Sequence, residues 1–310
     1  MITALGEILI DYTSKEPDIV EQNAGGAPAN VLACVAKFGL PTAFIGKVGD
    51  DTQGHFLKEV IEEEGIDTSG LIVDKNYSTT LAHVSLSETG ERSFTFERNP
   101  GADTQLTKEE LNQDILSRTK IFHFGSLSLT NEPAREATYE AIKIAKQNGA
   151  IISYDPNYRA LLWESQEAAM EQMRGPLELV DILKISDEEC ELITGHDDIN
   201  VSCKLLLNQG IKVVVITLGK AGALIGHDGK VRHVVGCGST GVVDTTGAGD
   251  SFWGGFLYSL YNIEFEKVDI IQLAECAKFA NAVASLCIEE FGAIKAMPTL
   301  EQVYSRLRGE

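Results

Sequence analysis

The chain has 310 residues, 44% hydrophobic and 23% charged, which supplies enough apolar material for a large core and excludes a disordered chain. With 26 Lys and Arg against 46 Asp and Glu, the formal charge of -20 repels a phosphate backbone or an anionic bilayer and argues against nucleic acid or membrane as partners. The six cysteines have no C-x-x-C spacing, as expected of free thiols in a reducing cytoplasm and not of a zinc site or disulfide framework.

The first apolar run, Ile2 to Ile10, predicts a strand, and Glu7 interrupts it where a signal peptide would stay apolar, so a cytoplasmic protein is expected. Asp11 then falls beyond the carboxyl end of that strand, the usual place for α/β ligands. Gly25-Gly26-Ala27-Pro28-Ala29-Asn30 opens a helix: Pro28 suits its first turn, Val31 to Phe38 is apolar, and Gly39 with Pro41 ends it. Paired glycines let a polar ligand approach the backbone and Asn30 offers a diol both donor and acceptor, although the same glycines suit a plain tight turn.

Thr42 to Val48 predicts a second buried strand. From Leu71 to Pro100 the alternation of strand and helix stops, because Leu81 to Leu86 and Ser93 to Phe96 read as two strands joined by Glu88-Thr89-Gly90. The segment is read as a lid over a site, with an edge hairpin of the main sheet as the alternative. Phe94 and Phe96 would cover the apolar face of a ligand or pack the lid, and Arg98 is the candidate for contact.

Further strands are predicted over Ile121 to Phe124, Ala150 to Asp155, Ile182 to Ile185 and Lys212 to Leu218; their near-continuous apolar character fits burial on both faces. With no repeat or linker to divide the chain, residues 1–310 are expected to form one α/β domain. A mostly parallel central sheet is sandwiched by helices, and a small antiparallel β lid is formed by about 11–22 and 71–103. Gly236-Cys237-Gly238-Ser239-Thr240-Gly241 matches G-x-G-x-x-G, but it leads into Val242-Val243-Asp244 and not into a helix, which removes a nicotinamide-binding reading.

The strongest local signal is Asp244-Thr245-Thr246-Gly247-Ala248-Gly249-Asp250-Ser251-Phe252, a glycine turn passing into a helix whose apolar face is Phe252, Trp253, Phe256, Leu257 and Leu260. Small residues at Gly247, Ala248 and Gly249 let an anion approach the helix amides. Asp250 in the first turn either caps the helix or takes a proton from an attacking hydroxyl.

This run resembles the C-terminal signature of the ribokinase-like (PfkB) carbohydrate kinase family, and Gly25 to Asn30 resembles its sugar-binding signature. Asp155-Pro156-Asn157-Tyr158-Arg159 resembles the D-P-N-x-R element of fructokinases and 2-keto-3-deoxygluconate kinases, and the resemblance spans essentially the whole chain. It implies a ribokinase-like fold and phosphorylation of a small sugar hydroxyl by ATP with Mg2+. D-fructose is the first expectation, then 2-keto-3-deoxygluconate, then ribose or a nucleoside; a catalytically silent sensor is the reading from another class.

The resemblance also distributes roles. Asp250 is the implied base, with Gly247, Ala248 and Gly249 as anion hole and Arg159 near the phosphoryl group. Asp11, Gly25, Gly26, Asn30, Phe96, Arg98 and Asp250 would hold the sugar. The nucleotide would fall to Lys184, Ser186, Thr217, Gly219, Gly222, Gly247, Gly249 and Asn281. Glu189 would hold Mg2+ through water, with Asn157 as a further candidate, and Asp244 with Thr246 would place K+. Ser186 stands where the family's N-x-x-E metal motif has Asn. Pairing of two lids implies a homodimer.

Overall fold

The structure, a computed structural model, describes residues 1–16, 19–86 and 92–309. Among the described residues thirteen strands form, the central ones of the larger sheet from short apolar runs buried on both sides and the edge ones from runs that mix buried and exposed positions. They are β1 (Ile2–Leu5), β2 (Leu9–Glu16), β3 (Ile19–Gly25), β4 (Thr42–Gly49), β5 (Asp67–Asp74), β6 (Leu81–Leu86), β7 (Arg92–Glu97), β8 (Ile121–Gly125), β9 (Ile151–Asp155), β10 (Ile182–Ser186), β11 (Val213–Thr217), β12 (Ala223–His227) and β13 (Lys230–Val234). Among the described residues, nine of them form one sheet in the order β13-β12-β11-β10-β9-β8-β1-β4-β5. It is parallel except where β12 and β13 add an antiparallel edge.

The period of two sorts side chains between the two faces. Ile182, Val213 and Val215 join one apolar cluster with Trp253 and Phe256, while Leu183, Val214 and Ile216 join the other with Phe122, Phe124 and Tyr154. On the first face, helices Ala27–Lys37, Ala248–Tyr261 and Ile270–Cys287 approach closely because their contact positions are small. A Cβ at Gly254 would lie 2.6 Å from Cys34 Cβ, and one at Gly255 would lie 2.9 Å from Val283 Cγ2. Helix Ile270–Cys287 has the length and composition of a membrane-crossing helix, but 61% of it is buried inside the fold.

A second sheet, in the order β3-β2-β6-β7, stands apart from the first. Three points differ from the sequence expectation. The run Ile2 to Ile10 is two strands: β1 ends at Leu5 and β2 enters the small sheet at Leu9, and Gly6 between them packs against Pro28, whose Cγ would sit 2.6 Å from a Cβ there. Asp11 therefore lies within β2, paired with Asn23, and not past a strand end. The small sheet is not wholly antiparallel, since β2 and β6 run parallel. Its bounds also shift, as Leu71 to Asp74 belongs to β5 and pairs with Gly46 to Gly49 of the large sheet. The Glu88-Thr89-Gly90 turn lies outside the described residues, as do the side chains of Arg92 and Phe94.

Candidate active site

The carboxyl end of the large sheet, the small sheet and the amino ends of two helices enclose a cavity of about 870 Å³. Asp250 lies in the first turn of helix Ala248–Tyr261. Gly247 caps that helix with φ 76, and a Cβ there would also lie 2.8 Å from Ala293 Cβ, so both conformation and space require glycine. Asn30, in the first turn of helix Ala27–Lys37, donates from Nδ2 to Asp250 Oδ2 at 2.8 Å. Burial raises the Asp250 carboxyl above its usual range; Asp155 adds to the rise, while the Asn30 bond, Lys184 and Arg159 oppose it.

Of the expected anion-hole donors, Ala248 is withdrawn, because its N–H donates to Thr245 O at 3.2 Å. Gly249 remains in the first turn, where a helix has no acceptors of its own. A Cβ at Gly249 would lie 3.4 Å from Lys184 Nζ, so the glycine leaves an ammonium directly beside the turn. Lys184 is buried and bonded to Asp155 Oδ2 at 2.5 Å. Burial works against its charge, yet Asp155, Glu189 and Asp250 more than offset this and hold it protonated.

The sugar-signature side is equally constrained. Gly25 makes room for Asp11, whose Oδ2 would be 2.1 Å from a Cβ there; Gly26, at φ 114, passes 2.5 Å from Glu7 O on the same measure. Burial pushes the Asp11 carboxyl up to about 6; Arg159 opposes this, and Asp250 and Asp244 reinforce it. Phe96, Asn157 and the exposed Arg159 also line the cavity. Asn157 holds φ 48, a left-handed conformation uncommon outside glycine.

Arg98 is a correction. It does not line the cavity but is spent in a buried network, giving Nε and Nη2 to Asp103 Oδ2, Nη1 to Thr130 Oγ1 and Nη2 to Leu127 O. Glu189 is likewise occupied. Its Oε1 accepts from Tyr158 N at 2.7 Å and its Oε2 from Ser186 N at 2.8 Å and Ser186 Oγ at 3.1 Å, which ties the 157–159 loop to the end of β10. Asp244 accepts from Thr246 N, Thr246 Oγ1 and Gly292 N, closing the loop beside Gly247.

Thr217 ends β11, Gly219 and Gly222 follow it, and Asn281 lies on helix Ile270–Cys287; none of the four lines this cavity. A Cβ at Gly222 (φ 99) would meet Val234 O at 2.1 Å, and Asn281 Nδ2 donates to Val235 O at 3.1 Å, so both shape the loop after β13. Among the described residues, no three His, Cys, Asp or Glu side chains are grouped to hold a metal ion.

Residues 1–300 match the family described as pfkB family carbohydrate kinase. The chain belongs to the pfkB carbohydrate kinases. It is 39% identical to fructokinase-2 of Solanum habrochaites over 317 residues, covering 100% of this chain and 96% of that one. A fructokinase from Xylella fastidiosa with bound ATP superposes with a TM-score of 0.92 at 32% identity, covering 99% of this chain and 98% of that one. A fructokinase double mutant from Vibrio cholerae O395, in a form with fructose, ADP and potassium ion bound, superposes at 0.90 and 31%, covering 99% and 97%.

For a pfkB kinase, two structural features were missed from sequence, one in the cavity and one outside it. Glu7 lines it, 3% exposed, although it was read only as a break in an apolar run. Arg306, near the chain's end, organises the 236–243 loop by donating to Gly238 O, Ser285 Oγ and Glu289. The first could have been suspected from an acid inside a buried stretch; nothing local marks the second.

Proposed function

We propose that this kinase transfers the γ-phosphoryl group of ATP to a hydroxyl of D-fructose, giving fructose 6-phosphate. The observation that carries the reading is the 2.8 Å bond between Asn30 and Asp250, which joins the sugar signature to the glycine-turn signature across 220 positions of sequence. One carboxylate thereby faces both the sugar side and the phosphoryl side of the cavity.

Asp250 takes the proton of the sugar hydroxyl as that oxygen attacks the γ-phosphorus, and the bond from phosphorus to the bridging oxygen of ADP breaks. The Gly249 amide and the Lys184 ammonium stabilise charge on the transferring group. Asp11 and Asn30 orient the sugar, Phe96 covers it, and Arg159 closes on the phosphoryl side. The nucleotide lies toward Thr217, Gly219, Gly222 and Asn281, with Ser186 bracing Glu189 beneath it.

Mg2+ belongs to the same proposal. Asp155 Oδ1 is buried beside Lys184 without a partner among the described residues, an oxygen suited to a hydrated hard cation, whereas both oxygens of Glu189 already accept amide hydrogens. When bound, the cation neutralises the charge of the nucleotide's phosphates. Asp244 and Thr246 support a K+ site beside the turn. Two copies pair through the small sheet, to be checked by sedimentation.

The test is ADP release with D-fructose, 2-keto-3-deoxygluconate, ribose and adenosine. The reading expects the highest kcat/KM on fructose; a higher value on another sugar overturns the substrate, and no turnover on any overturns the reaction.

A further inference from the structure

We propose that Glu7 is a specificity-determining residue, whose Oε2 accepts a hydrogen bond from a sugar hydroxyl other than the one Asp250 deprotonates. The inference rests on the sugar-kinase reading above. Glu7 follows Gly6, where the chain crosses from the large sheet to the small one, and its side chain lines the cavity. Its Oε1 accepts from Ala27 N at 3.0 Å. Its Oε2 is buried and has no partner among the described residues.

A buried carboxylate oxygen without a donor is costly and rare in native structures, so a donor is expected from a ligand. The cavity's own groups do not provide one. Asn30 presents Oδ1, also buried and unpartnered, while Asp11 and Asp250 add further acceptors. The nearby Arg98 gives its donors to Asp103, Thr130 and Leu127. A cavity with a surplus of acceptors calls for a ligand rich in O–H donors, and a polyol is such a ligand.

The geometry gives the contact a consequence. Glu7 holds the first amide of helix Ala27–Lys37, and the next residues of that turn carry Asn30, which holds Asp250. A hydroxyl on Glu7 is thus registered against the base through one helical turn, and the sugar whose hydroxyl spacing spans both points presents the correct oxygen for transfer. Burial pushes the Glu7 carboxyl up to about 7; of the charged groups facing it, Arg98 lowers the value and Asp103 raises it.

The test is Glu7→Gln, assayed on whichever of D-fructose, 2-keto-3-deoxygluconate and ribose the wild type phosphorylates. The glutamine carbonyl still accepts from Ala27 N–H, while a donor replaces Oε2. The expected result is a KM for the sugar raised about tenfold or more, kcat within about threefold, an unchanged KM for ATP and no loss of Tm. An unchanged sugar KM, or equal losses in both substrates, overturns the proposal. A second readout uses the wild type alone: the 13C-detected titration midpoint of Glu7 should fall on adding sugar without ATP, because a donated hydrogen bond favours the ionised form. An unmoved midpoint overturns it as well. Wild-type turnover with a silent Glu7→Gln sinks only this inference; no turnover on any sugar sinks both readings.

Discussion

Asp250→Asn isolates proton transfer from everything else Asp250 does. Asn30 Nδ2 now donates to Asp250 Oδ2 at 2.8 Å, and an asparagine carbonyl can accept the same bond, so the two helix ends stay joined. The other atom changes from an acceptor facing the cavity to a donor that cannot take a proton. Removing one negative charge from a cluster with Asp155, Asp11 and Asp244 also relieves repulsion, so sugar and ATP binding should survive. Loss of a positioned general base lowers kcat by about 10²- to 10⁴-fold, or about 3 to 5 kcal/mol in the barrier. Because the base must be ionised, wild-type kcat/KM should fall as pH drops through the raised Asp250 value, and the variant should lack that limb. Steady-state ADP release and a titration of fructose binding separate the two effects. A kcat within about fivefold of wild type would refute the assignment.

Three further outcomes follow from the contacts. Gly25→Ala places a methyl 2.1 Å from Asp11 Oδ2, so Asp11 must turn away and the sugar KM should rise about 10- to 100-fold with ATP KM unchanged, as initial-rate kinetics will show. Arg98→Ala strands Asp103, which is 2% exposed, and should cost about 3 to 5 kcal/mol in urea melts, with the sugar KM changed far less than in Gly25→Ala. Glu7 has a folded value of about 7 against 4.5, so its contribution favours folding below about pH 4.5 and is lost as pH rises through 7. Without ligand, Glu7→Gln should therefore gain up to about 3 kcal/mol over wild type between pH 5 and pH 8, measured by urea melts at both pH values.

The parts of the site that were legible in sequence are those whose chemistry is local. The turn at Gly247 demands a left-handed residue, and the helix after it carries its own apolar face, so motif and element coincide. β8 to β11 were readable because strands buried on both faces show a near-continuous apolar run, broken only by single polar residues such as His123, Ser153 and Lys184. β5 was misassigned to the lid because its exposed and buried positions mix at the sheet's edge. The fate of Arg98 was invisible because it is decided by Asp103 and Thr130, brought together only by the fold. Ser186 looked like a departure from a metal motif, yet its amide and hydroxyl still hold Glu189, and the main-chain half of that contact depends on no side chain.

A chain of charge -20 must still hold a polyphosphate, and the site shows how the conflict is resolved. A long-range field from surface carboxylates is screened within about 10 Å at ordinary ionic strength, whereas a buried charge acts through a less polarisable medium. Lys184 is that charge: 6% exposed, fixed to Asp155 and set beside the Gly249 amide. Burial works against its charge and Asp155, with Glu189 and Asp250, outweighs this, so the acid that neutralises the lysine at long range helps keep it cationic at short range. The same arrangement leaves Asp155 Oδ1 without a partner among the described residues, so the proposed cation would add positive charge at the turn without altering the acidity of the surface.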